Sequence, residues 1–140
     1  MRILVVSEYH ILNTGYSAYY KNICQALHDA GHEVSELASY GNENLKEHTD
    51  AAEKCPWDVY LNIPKIGTPK WAEYNESKKS KFDVEFGSWC FEEVVLKSKP
   101  DVVIAIRDHW YDKFILDSPL ANYYKTVLSP TVDASVQKNE

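Results

Sequence analysis

An α/β fold built on one open, mostly parallel sheet with helices on both faces is predicted by three features of the sequence. Apolar, mostly β-branched runs at 3–6 and within 101–106 are typical of strands buried on both faces. An amphipathic helical pattern over 17–30 separates the first run from a further strand at 34–38. This strand–helix–strand order is a βαβ unit, so its strands should be parallel and the sheet three-layered.

The remaining elements follow in chain order. Gly31 lies where a left-handed helix cap is expected. The middle of the chain predicts four segments: a short surface helix within 42–54, a strand at 59–63, a long loop or insertion at 66–81, and a further short strand at 82–86. Near the end, Ser88 is a candidate cap for a helix that stops before Pro100, and a short helix at 110–116 precedes a strand at 124–128. The apolar residues of the Ser88 helix share one face: Cys90, Phe91, Val94 and Val95.

Composition limits the classes of protein that this chain can represent. Its 140 residues suit one domain, 1–140, and 44% hydrophobic with 26% charged residues excludes whole-chain disorder and collagen. A net charge of −6 argues against nonspecific binding to nucleic acid or anionic membranes. Three cysteines without a CxxC pair, no signal-peptide pattern and no run of roughly 18 apolar residues predict a cytoplasmic protein with reduced thiols and no transmembrane segment.

The turn between the first strand and the first helix is the first candidate site. Gly15 allows close approach of a ligand to the backbone, and the amides of the following helical turn favour an anion such as a diphosphate. The predicted binding residues of this turn are Thr14, Gly15, Tyr16 and Ser17. The alternative is a helix cap at Thr14 or Ser17 with a plain turn at Gly15. Neither a GxGxxG fingerprint nor a P-loop is present.

A second candidate site follows the strand within 101–106. Arg107, Asp108, His109 and Trp110 can pair with phosphate, accept hydrogen bonds from hydroxyls and stack on a sugar ring. The alternative is a surface turn in which Asp108 caps the next helix and Trp110 packs inward. Because the carboxyl ends of parallel strands share one sheet edge, both candidate sites should meet there.

Metal and cofactor sites are not predicted. Four histidines lack metal-ligand spacing with one another or with the cysteines: His10, His28, His32 and His48. Cys24 and Cys90 occupy core-facing helix positions, so packing is their expected role.

Several segments resemble the group 1 family of glycosyltransferases with the GT-B fold. The RILVVS segment at 2–7, TGYS at 14–17 and LHDAGHEV at 27–34 are similar to the family's opening strand, glycine-containing loop, helix and second strand. KPDVVIAIRDHW at 99–110 resembles the family's P-D-V-V-H-x-H-D-W segment, and SPTVD at 129–133 resembles a later P-x-x-D-like turn. The resemblance covers the first 40 residues and about 99–133.

The resemblance implies a Rossmann-like domain that forms the N-terminal, acceptor-side half of such an enzyme. Gly15 and its neighbours then face the donor's phosphates and the acceptor, while Asp108 and His109 reach the sugars as catalytic residues. The implied partners are a nucleotide-sugar donor, a sugar or glycan acceptor, and a C-terminal domain or second chain that carries the family's Glu-x7-Glu motif. The enzyme is expected to be retaining and metal-independent, and this chain alone should transfer sugar feebly or not at all.

The sequence departs from the family pattern at two points, and other functions stay open. The first loop has one glycine where many members have two, and the family's first histidine after the P-D-V-V strand is replaced. A stand-alone flavodoxin-like or Rossmann-like binding module without catalysis is the alternative. A receiver domain fits less well, because Ser7-Glu8 supplies one acidic residue where receivers need two. An exposed sheet edge could also drive homo-oligomerisation.

Overall fold

Five parallel strands form one open sheet, in the order β3-β2-β1-β4-β5. They come from a computed structural model that describes residues 1–105 and 112–128. The strands are β1 (Arg2–Glu8), β2 (Glu33–Asn42), β3 (Asp58–Ile63), β4 (Val102–Ala105) and β5 (Lys125–Leu128). The predicted α/β, Rossmann-like fold is confirmed. Six strands were predicted, and five of them coincide with strands of the sheet; the exception is 82–86.

Helices cover both faces of the sheet, as the apolar pattern predicts. They are α1 (Gly15–Asp29), α2 (Lys46–Lys54), α3 (Pro69–Lys78), α4 (Phe91–Ser98) and α5 (Lys113–Asp117). Along β1, Ile3 and Val5 join one buried cluster with the α1 side chains. Leu4 and Val6 join a second cluster with the α4 side chains. Successive side chains of a strand point to opposite faces, so β1 is apolar throughout because a helix covers each face.

The prediction of a long loop at 66–81 is wrong, because α3 lies within it. Thr68 caps this helix by accepting a hydrogen bond from the Trp71 N–H at 3.2 Å, and Pro69 occupies the first helical position. Tyr74 is the one buried residue of α3, and its hydroxyl donates to the Glu85 carboxylate. A helix held by one buried aromatic has little apolar periodicity, so the local pattern was too weak to indicate it.

Two further predictions in this region need correction. The segment at 82–86 is not a strand. It contains a 3₁₀ turn at Val84–Phe86, and two carbonyl oxygens of this turn accept hydrogen bonds from a side chain. Asn62 donates from Nδ2 to the Val84 and Glu85 carbonyl oxygens at 3.0 and 3.2 Å, in place of a neighbouring strand. Ser88 does not cap α4, which begins only at Phe91 because the chain first turns at Gly87, where φ is 108°.

The cysteine side chains lie in or against the core, and their environment favours the neutral thiol. Burial raises the pKa of Cys55 to about 11 and that of Cys90 to about 12, and it also raises the pKa of Cys24. Because the thiolate is the reactive form, we expect iodoacetamide at pH 8 to modify the folded protein about a hundredfold more slowly than the urea-unfolded chain. Equal rates in the two states would contradict this burial.

The same shifts predict how stability depends on pH. The folded protein retains these thiol protons at pH values where the unfolded chain releases them. The contribution of the protonated thiols to the free energy of unfolding is therefore complete below about pH 8.5, and it decreases as the pH rises towards 11. Urea unfolding at pH 8 and pH 10 should show a lower midpoint at pH 10; an unchanged midpoint would be inconsistent with the shifts.

Within residues 1–105 and 112–128, no helix combines the length and the apolar character that crossing a membrane requires.

Candidate functional site

The sheet order places a topological switch point at the carboxyl ends of β1 and β4, and we call this position the β1–β4 crevice. The chain leaves β1 through α1 towards β2, and it reaches β4 on the other side of β1 through α4, which covers the opposite face. Open α/β sheets bind ligands at such a switch point. The predicted residues Arg107, Asp108, His109 and Trp110 directly follow β4 in sequence and lie outside the described residues, as does 129–133.

Thr14 and Ser17 form a reciprocal cap at the start of α1. Thr14 Oγ1 accepts from the Ser17 N–H at 3.0 Å, and Ser17 Oγ accepts from the Thr14 N–H at 3.1 Å. Thr14 Oγ1 in turn donates to Glu8 Oε1 at 2.7 Å, which links the cap to the end of β1. These two side chains therefore act as the helix cap that the sequence offered as the alternative to ligand binding.

Gly15 and Tyr16 lie in different surroundings. Gly15 is exposed as the first residue of α1, and a β-carbon placed there would meet no atom within 4 Å. Tyr16 is partly buried against the cluster on the α1 face of the sheet. The first turn of α1 itself contains no acidic residue, and the carboxylate nearest to this helix end is that of Glu8, which Thr14 Oγ1 contacts. The backbone at Gly15 is thus the part of this turn that a ligand can approach most closely.

Removing the Thr14 hydroxyl tests the cap. We expect Thr14→Ala to lower the free energy of unfolding by about 0.5–2 kcal/mol, because the Ser17 N–H loses its acceptor and Glu8 loses a donor. Urea unfolding measures this loss. Thr14→Ser is the matched control, since it keeps the oxygen and should stay near the wild type; an equal loss in both variants would show that the methyl group matters instead.

A buried carboxylate lies beneath the loop that precedes this cap. Glu36, in the middle of β2, is fully buried and pairs in register with Val5 of β1. Its Oε2 accepts from the His10 backbone N–H at 2.9 Å, and its Oε1 lies 2.6 Å from His10 Nδ1 and 3.1 Å from the donor Trp57 Nε1. Three groups that can each donate therefore converge on one carboxylate.

The neighbouring Tyr9 ties the same loop to α2. The Tyr9 hydroxyl donates to the His48 carbonyl oxygen at 2.8 Å, and His48 Nδ1 accepts from the Asn42 N–H at 2.9 Å. The rings of Tyr9 and His10 pack edge to face, with centroids 5.2 Å apart. Burial, with a smaller contribution from the Glu36 charge, raises the pKa of Tyr9 and keeps its hydroxyl a donor.

Sequence reasoning missed Glu36, His10 and Trp57 as a connected set. One signal was available: Glu36 places a charge in the middle of the strand predicted at 34–38, next to the apolar residue Leu37. The partners could not be found in the same way, because His10 and Trp57 are 26 and 21 residues from Glu36 in sequence.

A cavity of about 560 Å³ lies at the opposite, amino edge of the sheet. Its lining includes Arg2, Glu33 and Lys97, but Arg2 pairs with Glu33 at 3.1 Å, and Lys97 pairs with Glu93 at 3.0 Å. Arg2 and Lys97 are thus each paired with a carboxylate, and Lys99 also lines the cavity. Since ligands of open α/β sheets bind at the carboxyl edge, the β1–β4 crevice is the better candidate despite this cavity.

Neither metal geometry nor comparison with known proteins assigns a function. Across residues 1–105 and 112–128, no three His, Cys, Asp or Glu side chains lie together in a way that could hold a metal ion. No family model matches the sequence, and no curated protein matches it either.

Proposed function

We propose that the chain is the acceptor-side, Rossmann-like domain of a nucleotide-sugar-dependent glycosyltransferase of the GT-B type. One observation carries the proposal: three of the segments that resemble this family contain the elements that meet at the β1–β4 crevice. The segment at 2–7 lies in β1, 14–17 holds the cap and first turn of α1, and 99–110 contains β4. Glycosyltransferase activity in the cytoplasm on a sugar or glycan acceptor is the function that this arrangement supports best.

The described residues have the chemistry that such a substrate needs. The first turn of α1 offers backbone amides and the positive end of the helix dipole to a diphosphate, at a glycine that leaves room for it. Glu8 is only partly buried and can accept hydrogen bonds from sugar hydroxyls beside Thr14. As the family resemblance implies, we assign Asp108 and His109 to the sugars as catalytic residues, and we assign Arg107 and Trp110 to substrate binding. Preorganised donors can meet the leaving diphosphate's charge in an oxocarbenium-like transition state.

A GT-B site lies between two Rossmann-like domains, and the proposal therefore expects a second one, in the same polypeptide or in a partner chain. That domain contributes most contacts to the nucleotide. We accordingly expect the 140-residue chain to bind sugars or nucleotide sugars more readily than it transfers them. Robust transfer by the chain alone would contradict this division of roles.

Thermal unfolding in the presence of candidate ligands tests the proposal. The screen compares UDP-glucose, GDP-mannose, ADP-glucose, the free sugars and FMN. A ligand at one hundred times its dissociation constant stabilises the folded state by about 2.7 kcal/mol. Stabilisation by a nucleotide sugar or a sugar supports the proposal, whereas stabilisation by FMN alone favours the flavodoxin-like binding module and overturns it.

Gly15→Asp makes the screen specific for the proposed turn. The new side chain enters open space, and aspartate in a first helical turn is favourable, so the variant should fold as well as the wild type. Its charge should nevertheless abolish stabilisation by the nucleotide sugar. Gly15→Asn has nearly the same shape without the charge, so it occupies the same space and should reduce the stabilisation less than Gly15→Asp does. Full retention by Gly15→Asp would place the phosphates elsewhere.

A further inference from the structure

We propose that Glu36 is a positioning residue that acts through His10. It fixes the 8–17 loop, defined here as the end of β1, the connecting turn and the first turn of α1, which carries the candidate site. The consequence for ligand binding rests on the proposed function, but the consequence for the loop does not. Glu36 itself is fully buried, so it acts on the site only through the groups that it holds.

The first step is the position of the carboxylate. Glu36 shares its face of the sheet with Val5, its partner in register, and with the apolar cluster beneath α1. A carboxylate in such surroundings loses its hydration and is tolerated only where donors replace water. All three nearby groups, the His10 N–H, the His10 ring and the Trp57 indole, can donate to it. The contacts therefore satisfy a carboxylate together with a His10 ring that carries its proton on Nδ1.

The second step is that two of these donors belong to one loop residue. Holding both the backbone N–H and the ring of His10 fixes the path of the chain and the orientation of the imidazole together. The hydrogen bond between His10 Nδ1 and Glu36 Oε1, at 2.6 Å, therefore links this ring directly to β2.

The third step connects His10 to the cap. The Leu12 N–H donates to the Tyr9 carbonyl oxygen at 3.0 Å, closing a turn around His10. Ser17 Oγ donates to the Leu12 carbonyl oxygen, and Ser17 is one half of the reciprocal cap with Thr14. An unbroken series of contacts therefore runs from the buried carboxylate to the first turn of α1.

Glutamine cannot reproduce this set of contacts. If its oxygen takes the place of Oε1, its amide N–H₂ faces the His10 backbone N–H, which is also a donor. If the amide is reversed, the N–H₂ faces the Trp57 indole N–H, a donor as well. One orientation becomes compatible when Trp57 is replaced by phenylalanine: the oxygen accepts from the His10 N–H, and the N–H₂ donates to His10 Nδ1, whose proton moves to Nε2.

Amide hydrogen exchange and imidazole NMR on the whole chain test the proposal with Glu36→Gln, Trp57→Phe and the double variant. In Glu36→Gln the loop amides of His10, Leu12 and Ser17 should exchange about 5- to 150-fold faster relative to those of the β1–β2 ladder, as expected for a buried donor left unsatisfied. The double variant should recover most of the protection and carry its His10 proton on Nε2. Recovery in the double variant is the result that a merely structural role would not produce.

Asn62→Leu is the control for general destabilisation. Asn62 is also fully buried and hydrogen-bonded, but it holds the 3₁₀ turn at Val84–Phe86 and not the 8–17 loop. In this variant, the exchange rate of the loop amides divided by that of the amides hydrogen-bonded between β1 and β2 should equal the wild-type ratio. An unchanged ratio in Glu36→Gln, an equal change in Asn62→Leu, or no recovery in the double variant would each overturn the proposal. Because these ratios are measured without ligand, they stay informative even if no nucleotide sugar binds.

Discussion

Replacing Glu36 by alanine is expected to lower the free energy of unfolding by about 3–5 kcal/mol, the largest loss among the polar substitutions considered. The substitution leaves the His10 N–H, the His10 ring and the Trp57 indole facing a space from which water is largely excluded. Domains of this size are stable by only about 5–15 kcal/mol, so the loss is a large part of the total. We expect the melting temperature to fall by roughly 10–20 °C.

Urea unfolding followed by circular dichroism measures this effect, with Glu33→Ala as the matched control. Glu33 lies in the same strand, but it is exposed and pairs with Arg2 at the surface. Its removal should change stability by no more than about 0.5 kcal/mol. A loss below about 1 kcal/mol in Glu36→Ala would show that the buried contacts do not stabilise the fold.

Phe91→Ala is expected to lower the free energy of unfolding by about 3–5 kcal/mol through the cavity that it leaves. Phe91 begins α4 and is almost completely buried. Its ring packs edge to face against Phe114 of α5 at 5.3 Å and Tyr124 at 6.0 Å between centroids. The substitution therefore loosens α4, α5 and the approach to β5 together.

The same substitution at an exposed phenylalanine separates burial from chemistry. Phe82 is 73% exposed, and Phe82→Ala should change stability by no more than about 0.5 kcal/mol in the same urea titration. Comparable losses at the two positions would contradict the placement of Phe91 in the core.

The framework of the sheet was predictable because its signals are local. Continuous apolar runs such as 3–6 require helices on both faces, and Gly31 ends α1 with a φ of 93° where the sequence indicated a left-handed residue. The α3 helix was not predictable in this way. Its one buried residue, Tyr74, depends on Glu85 and Trp89 from later in the chain, and such partners have no signature in a sequence window.

The candidate site was predictable in part for the same reason. The cap formed by Thr14 and Ser17 follows from residue types three positions apart, which is a local pattern. The support beneath it was not predictable, because Glu36 meets His10 only after β1 and β2 pair in their observed register. Sequence could thus indicate where α1 begins, but not what holds the preceding loop.

Chemical-shift mapping of the ¹⁵N-labelled chain with UDP-glucose, GDP-mannose and ADP-glucose tests most directly whether the β1–β4 crevice is the ligand site. Binding there should move the amide resonances of Glu8 and of the α1 turn at 14–17 most strongly. Gly15→Asp should abolish these changes, while Gly15→Asn should weaken them less. Shifts concentrated around Arg2, His32 and Lys97 at the amino edge, or no response to any of the three nucleotide sugars, would contradict it.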